Sequence, residues 1–347
     1  MLLSFIIPVY NGSFFIEKTI KSLLCQDIPH TDFEIICVND CSQDDSENLI
    51  KNYQDKFSNI RLISLDENSK TGTVCNIGLD NARGKYIWII GQDDLIAPNC
   101  LEELIGKCEK EDLDVLVFNY RRINEVEEEL HSAVVFQNSD IMNGQCFLKT
   151  YFDSDFDHYL LGYEWRAIFR KDFLSQNKIR FKNGAIYEDT VFLFKSIFYS
   201  DRMASISDFF YYYRVNSYSI TDISKKYKGN LIYEFAFVAG GEVFDLANEL
   251  KGLNKKYAEI LHNKAIWYFQ SFTYKVVGAR ILEKNFFYKL VKENRQAVSF
   301  YIQFTSLLSK LLIHPTVGFL LSIMLKPLYV MKNRIKYYIN PKQDWSY

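Results

Sequence analysis

The sequence predicts an α/β fold with a mostly parallel sheet in its first half, and two observations support this. Five apolar runs of strand length, rich in Ile and Val, recur between Leu3 and Phe118. Helical patterns separate them, and in the first of these apolar residues recur at i, i+4, i+7 and i+8 from Ile16. Strands that alternate with helices form right-handed βαβ units and a parallel sheet. The predicted strands are Leu3–Val9, Glu34–Val38, Arg61–Leu65, Tyr86–Ile90 and Asp114–Phe118.

The composition limits the classes of protein to which the chain can belong. Its 347 residues suffice for one large domain with an appendage or for two domains, and a net charge of −2 argues against a nucleic-acid partner. The five histidines lie far apart, which argues against a histidine-based zinc site. Seven cysteines without a CxxC pair indicate free thiols in a reducing compartment. Because Met1–Pro8 also lacks the features of an export signal, we expect a cytoplasmic location.

A change of character near Asp222 predicts a domain boundary. Residues 1–221 carry the alternation of strands and helices, whereas residues 222–347 show long helical periodicities rich in Lys, Tyr and Phe. Within the second region, residues 300–339 combine apolar clusters with flanking lysines and aromatic side chains. This pattern is typical of an interfacial segment on anionic lipid, and packing on protein is the alternative. The interrupted apolar run is too short to span a bilayer, so the predicted membrane contact is peripheral.

Two adjacent carboxylates follow the fourth predicted strand. The run Tyr86–Ile90 is typical of a strand buried on both faces, and Asp93 and Asp94 come directly after its end. Acids at the carboxyl end of such a strand lie where α/β sheets bind their ligands. Two acids in a dry cleft repel each other unless a cation neutralises them, and a divalent metal shared with phosphate oxygens is suitable. An acidic helix N-terminus is the alternative interpretation.

Polar motifs also stand at the ends of other predicted strands. Pro8–Asn11 ends the first strand, and Cys37–Ser42 ends the second. Lys70–Gly72 and Asn76–Gly78 open a helix that precedes Ala82–Gly84. Because the carboxyl ends of parallel strands converge on one crevice, these motifs can surround a single ligand.

Taken in this order, the motifs resemble those of the family 2 glycosyltransferases, which have the GT-A fold. The family pattern is a Pro-x-Tyr-Asn strand end, an Asp-Asp-Gly-Ser-like turn, an Asn-x-Gly helix before Ala-x-Gly, an Asp-x-Asp-Asp metal motif and a distal Glu-Asp pair. The resemblance implies a Rossmann-like sheet flanked by helices in a catalytic domain of residues 1–221. Within it, residues 1–110 would bind the nucleotide sugar and residues 111–221 the acceptor, ahead of a helical C-terminal region.

The resemblance implies donor contacts along the strand ends. Tyr10 would stack on a pyrimidine base, Asp40 would accept its ring N–H, and Lys70 would meet the diphosphate as a point charge. A half-buried turn aromatic, a helix cap and a solvated loop lysine are the respective alternatives. The implied donor-binding residues are Pro8, Tyr10, Asn11, Asp40, Lys70, Asn76, Asp93 and Arg214.

The resemblance also implies a metal site, in which Asp93 and Asp94 would hold Mg²⁺ or Mn²⁺ against the diphosphate. The chain departs from the family pattern at three positions. Gly91 stands where the metal motif has its first Asp, and Asn39 and Cys41 stand where the family usually has Asp and Gly.

The pair Glu188–Asp189 matches the distal family motif. Sugar transfer with inversion needs a base that takes the proton of the acceptor hydroxyl and a Lewis acid that stabilises the leaving group. The resemblance makes Asp189 the base and Glu188 its orienting partner. A helix N-cap is the alternative for Asp189.

Two further residues are singled out by the resemblance. Trp165 would stack on an acceptor sugar, and a buried core tryptophan is the alternative. Arg214 would lie near the donor phosphates or a closing loop, and a strand-end arginine paired with a surface acid is the alternative.

The implied function is metal-dependent, inverting transfer of a sugar from a nucleotide donor, a UDP-sugar, to a glycan or lipid-linked oligosaccharide. The process implied is surface-polysaccharide synthesis at the inner face of the cell membrane. A catalytically silent scaffold that binds nucleotide sugar or membrane is the alternative. A nicotinamide-dependent oxidoreductase is disfavoured, because no Gly-x-Gly-x-x-Gly turn follows the first strand.

Overall fold

The structure is a computed structural model that describes residues 1–130, 132, 134–153, 163–184, 189–216, 231–263 and 265. The chain divides into two compact units, Met1–Asn216 and Ser217–Tyr347. The predicted site residues belong to the first unit, and all except Glu188 are among the described residues. Glu188 and the predicted interfacial segment 300–339 lie outside them.

An eight-stranded sheet forms the centre of the first unit. Its strands in chain order are β1 (Leu3–Val9), β2 (Phe33–Asn39), β3 (Ile60–Ser64), β4 (Tyr86–Ile89), β5 (Leu95–Ile96), β6 (Val115–Ile123), β7 (Ala167–Arg170) and β8 (Met203–Arg214). They lie side by side in the order β3-β2-β1-β4-β7-β6-β8-β5.

The first four strands are parallel, as the sequence predicts. β1 pairs with β2 and β4, and β2 pairs with β3. Val9 lies opposite Asn39, so the loops that follow β1 and β2 leave the sheet next to each other. Every residue of β2 is buried. Cover on both faces explains why these strands are almost continuous apolar runs rather than alternating patterns.

The remaining strands make the sheet mixed. β7 is antiparallel to both β4 and β6, β6 is parallel to β8, and the two-residue β5 is antiparallel to β8. The sequence does not predict β5 and β7, because such short strands show no periodicity that distinguishes them from loops. Since β7 runs against β4, the residues that precede β7 lie at the same edge as the residues that follow β4.

Helices cover the sheet and complete its core. In the first unit the helices are α1 (Ile16–Leu24), α2 (Ser46–Gln54), α3 (Thr71–Asn81), α4 (Leu101–Lys110), α5 (Gly144–Asp153), α6 (Lys171–Gln176) and α7 (Asp189–Tyr199). The second unit, described by itself, contains α8 (Leu231–Leu250). In the first unit, α3 packs on β1 and β2, and α5 packs on α7. The side chains of Phe5, Trp88 and Phe118 form a buried aromatic row, with ring centroids 5.7 Å and 5.1 Å apart.

Two other features bear on the sequence predictions. All seven cysteines are free, and four of them, Cys37, Cys75, Cys100 and Cys108, are buried. Among the helices that the structure describes, none is both long and apolar enough to cross a bilayer.

Candidate active site

The predicted site residues gather at one edge of the sheet. Tyr10 follows β1, Asp40 follows β2, and Asp93 and Asp94 follow β4. Trp165 lies at the same edge, in a short 3₁₀ helix (Glu164–Arg166) that leads into the antiparallel β7. This is the edge at which α/β sheets bind ligands.

Asp94 is buried, and its carboxylate is held by two protein donors. Oδ2 accepts a hydrogen bond of 2.6 Å from the Tyr211 hydroxyl, and Oδ1 accepts one of 2.7 Å from the Arg214 backbone N–H. Burial, followed by the charge of Asp93, raises the pKa of Asp94 well above its usual value. Asp94 therefore joins the loop after β4 to the end of β8, and both its oxygens are already engaged.

Gly91 is required by this position of Asp94. A Cβ atom on Gly91 would lie 2.5 Å from Asp94 Oδ2 and 3.3 Å from the Tyr211 hydroxyl oxygen. The Gly91 N–H also donates to that hydroxyl, at 3.0 Å. The Asp94 carboxylate thus occupies the space that a side chain at position 91 would need.

Asp93 is only partly buried, which sets it apart from its neighbour. Its Oδ2 accepts a hydrogen bond of 2.7 Å from the Asn216 side-chain amide, and its backbone carbonyl accepts one of 2.8 Å from Arg214 Nε. Burial raises the pKa of Asp93 also. Burial disfavours the ionised carboxylate, and a cation bound beside Asp93 would favour it again.

The donor set fits a divalent cation shared with a ligand better than a cation enclosed by protein. Within the described part of the chain, no three His, Cys, Asp or Glu side chains lie close enough to hold a metal ion. Mg²⁺ is commonly held by one or two carboxylates, with water and phosphate oxygens as its other ligands. Asp93 suits that role, whereas the two hydrogen bonds to Asp94 do not favour it as a second ligand.

The loop after β1 is clamped by Gln92, a residue to which the motifs assign no role. The side-chain amide of Gln92 accepts from the Tyr10 backbone N–H at 2.8 Å and donates to the Tyr10 carbonyl at 3.0 Å. Tyr10 is 42% exposed, although its backbone is fixed by these two hydrogen bonds. The only signal for Gln92 in the sequence is its place inside the metal motif.

The same loop is also bound to the loop after β2. The Asn11 N–H donates to Ser42 Oγ at 3.0 Å, and Asn11 Oδ1 accepts from the Gln43 N–H at 2.8 Å. Asn11 has a positive φ of 49°, which asparagine tolerates better than most residues. Pro8 is half-buried in β1 opposite Val38. These contacts give Asn11 a role in shaping the pocket, while its contact with a donor stays a prediction.

Asp40 holds the loop that carries Lys70. Its carboxylate accepts from the Ser69 N–H at 2.6 Å and from the Lys70 N–H at 3.1 Å. Lys70 has a positive φ of 71° immediately before α3, and its side chain is exposed. Asp40 is therefore buried at the cleft and caps this loop rather than α2, and the base and phosphate contacts predicted for the two residues stay predictions.

Asn76 connects α3 to the chain that leads towards Asp189. Its amide donates to the Phe181 carbonyl and to Asn183 Oδ1, both at 2.8 Å, and its Oδ1 accepts from the Phe181 N–H at 3.1 Å. These contacts engage the whole side-chain amide. Asn76 therefore positions the 181–183 segment, and the geometry does not favour the predicted contact with the donor.

Arg214 is fully buried, and its guanidinium donates to protein acceptors. Besides the Asp93 carbonyl, these are the carbonyls of Asn124 and Glu125 and the Glu127 carboxylate, with which it forms an ion pair of 3.2 Å. The structure supports the alternative account of a strand-end arginine paired with a surface acid. The expected place near the donor phosphates is not what this geometry favours, because a side chain without exposed surface cannot reach a ligand.

Asp189 begins α7, with its carboxylate held at the site edge. Oδ2 accepts from the Tyr163 backbone N–H at 3.2 Å, and Oδ1 accepts from the Thr190 N–H at 2.9 Å. Burial, followed by the charges of Asp189 and Asp94, raises the pKa of Glu164 to about 8. The charges of both the predicted base and the metal motif therefore act on Glu164, a residue to which the motifs assign no role.

Trp165 belongs to an aromatic stack and is 9% exposed. Its ring is parallel to that of Tyr211, with centroids 4.4 Å apart, and to those of Tyr163 and Tyr213 at 4.9 Å and 5.6 Å. Tyr120 packs edge-on against it at 4.8 Å. The structure supports the alternative of a buried tryptophan, while the predicted contact of Trp165 with an acceptor stays a prediction.

The mixed α/β sheet, with paired acids after β4 at its ligand-binding edge, agrees with the GT-A fold that the sequence motifs imply. Comparison with known proteins gives the family. The model of glycosyl transferase family 2 matches residues 4–177, which is half of the chain. The chain belongs to this family, and the predicted family and enzyme class are confirmed.

Several curated relatives are also similar in sequence. An uncharacterised glycosyltransferase of Escherichia coli, YibD, is 26% identical over 74% of this chain and 72% of its own length. Glycosyltransferase GlyG of Streptococcus pneumoniae is 24% identical over 75% of this chain and 89% of its own. The poly(ribitol-phosphate) β-N-acetylglucosaminyltransferase TarS of Staphylococcus aureus is 28% identical over 61% of this chain but only 35% of its own. The chain therefore spans about a third of TarS.

Solved structures confirm the predicted fold class. Residues 1–349 of S. aureus TarS in complex with UDP-GlcNAc match with a TM-score of 0.63 and 20% identity, over 96% of this chain and 92% of that one. The same TarS fragment in complex with UDP matches with a TM-score of 0.55 and 21% identity, over 87% and 89%. At these identities the likeness establishes the fold alone.

Proposed function

We propose that this glycosyltransferase transfers a sugar, with inversion at its anomeric carbon, from a UDP-sugar to a hydroxyl of a glycan or lipid-linked acceptor. The observation that carries the proposal is a chain of contacts between Asp189 and Asp94. The Tyr163 N–H donates to Asp189, and the Tyr163 ring stacks on Trp165. Trp165 stacks in turn on Tyr211, whose hydroxyl donates to Asp94. These contacts support one cleft that holds both the predicted base and the acids after β4. An Asp189 remote from the acids would have excluded the reaction.

The donor side of the proposal rests on the loops after β1, β2 and β3. Tyr10 offers an exposed ring on a backbone that Gln92 fixes, which suits stacking on a base. Lys70 is exposed at the start of α3, where a cation can meet a diphosphate. That TarS structures hold UDP-GlcNAc and UDP supports a uridine nucleotide as the donor class.

A divalent cation, Mg²⁺ or Mn²⁺, completes the donor site in this proposal. Asp93 would hold it, and when bound it would supply the positive charge that stabilises the departing diphosphate. Asp94 would act through its hydrogen bonds to Tyr211 and Arg214, which fix the loop that carries Asp93.

Asp189 would act as the base. Its carboxylate takes the proton of the acceptor hydroxyl while the hydroxyl oxygen bonds to the anomeric carbon. The bond from that carbon to the diphosphate oxygen breaks, and its electron pair leaves with UDP. The Tyr163 N–H hydrogen bond to Oδ2 keeps the carboxylate aimed during the transfer. A single displacement of this kind inverts the configuration at the anomeric carbon.

Release of UDP from a panel of UDP-sugars tests the proposal. With acceptor glycans present, we expect Asp189→Asn to lower kcat by about 10²- to 10⁴-fold, the usual contribution of a general base. Asp172→Asn is the matched control, since Asp172 is an exposed acid in the first turn of α6. Equal turnover by both variants would reject the base, and binding of UDP-sugar without any turnover by the wild type would reveal a silent scaffold.

Metal dependence has its own test. Chelation by EDTA should abolish turnover, and Mn²⁺ or Mg²⁺ should restore it. Asp93→Asn should raise the metal concentration needed for half-maximal activity, whereas a variant that needs no more metal than the wild type would exclude Asp93 as a ligand.

The proposal also includes the acceptor class and the cellular location. Relatives whose names specify poly(ribitol phosphate) support a role in surface-polysaccharide synthesis. Peripheral contact with the inner face of the membrane would come from residues 300–339. Co-sedimentation with anionic phosphatidylglycerol vesicles tests this contact, and equal pelleting of the full chain and of residues 1–299 would reject it.

A further inference from the structure

We propose that Tyr163 forms the acceptor side of the site: its ring is the platform for a cyclic acceptor sugar, and its backbone positions the base. The inference rests on the proposed function and deepens it, because it assigns an acceptor-binding residue. It also transfers to Tyr163 the stacking role that the sequence suggests for Trp165.

The first argument is the backbone of Tyr163. Its φ of 91° lies in the left-handed region, which a bulky side chain rarely adopts. In that conformation its N–H donates to Asp189 Oδ2 at 3.2 Å. A strained backbone that persists next to a reactive group is typical of a position that serves the reaction. Here the strain directs an N–H towards the carboxylate that takes the acceptor proton.

The second argument is the contrast in exposure within the aromatic stack. The rings of Tyr163 and Trp165 are 4.9 Å apart and inclined by 25°. Trp165 is 9% exposed, whereas Tyr163 is 38% exposed. Tyr163 therefore offers the more accessible ring of the pair, and Trp165 supports it from the buried side.

The third argument is the chemistry of the ring. The face of an aromatic ring carries partial negative charge, and it attracts the weakly positive C–H groups that one face of a pyranose presents. A pyranose that packs there can point a hydroxyl at Asp189, since the same residue supplies both the ring and the N–H that holds the base. The proposed occupant is thus a cyclic acceptor sugar rather than an open-chain alditol.

The stack also explains why the platform is rigid. Trp165 packs on Tyr211 with centroids 4.4 Å apart, and the Tyr211 hydroxyl donates to Asp94. The Trp165 carbonyl accepts from Trp88 Nε1 at 2.7 Å, which ties the 3₁₀ helix to β4. The acceptor platform and the metal motif are therefore parts of one packed unit.

Three variants separate the ring from the backbone. Tyr163→Phe keeps the ring, Tyr163→Ala removes it at a strained φ, and Tyr163→Gly removes it at a φ that glycine adopts freely. For a pyranoside acceptor, we expect the Ala and Gly variants to raise the ratio of acceptor KM to donor KM by about three- to tenfold, the size of an aromatic contact. The Phe variant should restore the acceptor KM to near the wild-type value.

The backbone role has a separate readout. Tyr163→Ala and Tyr163→Gly both lose the ring. A difference in kcat between them therefore reports the effect of the left-handed backbone conformation at position 163. We expect Tyr163→Gly to keep a higher kcat than Tyr163→Ala. The matched control is Tyr53→Ala. Tyr53 lies in α2, and its ring stacks on that of Phe57 with centroids 6.3 Å apart.

The outcomes are distinct. Transfer by the wild type combined with an unchanged acceptor KM in Tyr163→Ala would overturn this inference alone. An equal effect on an alditol acceptor would overturn the choice of a cyclic sugar. Absence of transfer by the wild type with every donor and acceptor would overturn the proposed function, and this inference with it.

Discussion

The hydroxyl of Tyr211 donates a hydrogen bond of 2.6 Å to the buried carboxylate of Asp94, across 117 positions of sequence. The same oxygen accepts from the Gly91 N–H at 3.0 Å. One phenol thus joins β8 to the loop after β4, the loop that carries Asp93 and Asp94. The shape of that loop depends on this contact.

Tyr211→Phe removes the hydroxyl and leaves a buried oxygen of Asp94 and the partly buried Gly91 N–H without this partner. We expect the free energy of unfolding to fall by about 1–3 kcal/mol, the cost of an unsatisfied buried polar group. Urea denaturation measures the loss. Tyr212→Phe is the control on the same strand, and a Tyr211→Phe protein as stable as that control would contradict the role of the hydroxyl.

Gly91→Ala tests why the first acid of the family motif is missing. The new Cβ would meet Asp94 Oδ2 at 2.5 Å, so the Asp94 carboxylate or the loop after β4 must shift. We expect a loss of about 1–3 kcal/mol in stability, the usual range for an overpacked site. Gly91→Asp should be at least as unstable, although it restores the family residue.

Gly106→Ala is the matched control for Gly91. Gly106 lies within α4, and a Cβ there would have no neighbour within 4 Å. Alanine should stabilise that helix by about 0.5–1 kcal/mol. Thermal unfolding of both variants distinguishes the steric account from a general effect of replacing glycine, and a stable Gly91→Asp protein with stronger Mn²⁺ binding would contradict it.

The first four strands could be predicted from the sequence because burial on both faces makes them continuous apolar runs. The gathering of Tyr10, Asp40 and Asp93 at one edge of the sheet could be predicted from the order of the motifs, and their contacts with a donor stay predictions. The protein contacts of Arg214, Asn76 and Asp94 could not be predicted, because a motif does not show whether its polar side chain faces a ligand or another loop. Only the fold shows that Arg214 is buried against Glu127 and that Asn76 is bound to Phe181.

The role of Gln92 also could not be predicted, because it occupies the variable position of the metal motif, where any residue fits the pattern. Its amide both accepts from and donates to the Tyr10 backbone. Gln92→Glu keeps the acceptor but replaces the donor with a second oxygen, which would repel the Tyr10 carbonyl. We expect UDP to bind about 3- to 30-fold more weakly, in line with one or two hydrogen bonds at 1 ± 0.5 kcal/mol each.

Isothermal titration with UDP measures this loss, and Gln176→Glu is the control, because Gln176 is an exposed glutamine at the end of α6, away from the loops after β1 and β2 in sequence. Gln92→Ala should weaken binding too, since it frees the Tyr10 loop. Wild-type affinity in both Gln92 variants would show that the loop after β1 needs no clamp.

Glu164 should give the folded protein a dependence on pH. Its pKa is raised from 4.5 to about 8, first by burial and then by the charges of Asp189 and Asp94. The folded state therefore binds a proton on Glu164 between these two values, whereas the unfolded state has released it. Because the folded state binds more protons, the free energy of unfolding must fall as the pH rises from about 4.5 to 8.

Glu164→Gln mimics the protonated side chain and removes this titration. We expect the urea midpoint of the variant to decline less steeply than that of the wild type between pH 5 and about 8, since its side chain has no proton to lose. Glu102→Gln, at an exposed position in the first turn of α4, controls for the loss of one carboxylate. Parallel curves for the wild type and Glu164→Gln would mean that Glu164 is ionised in the fold, and its carboxyl would then repel a diphosphate rather than lie neutral beside the base.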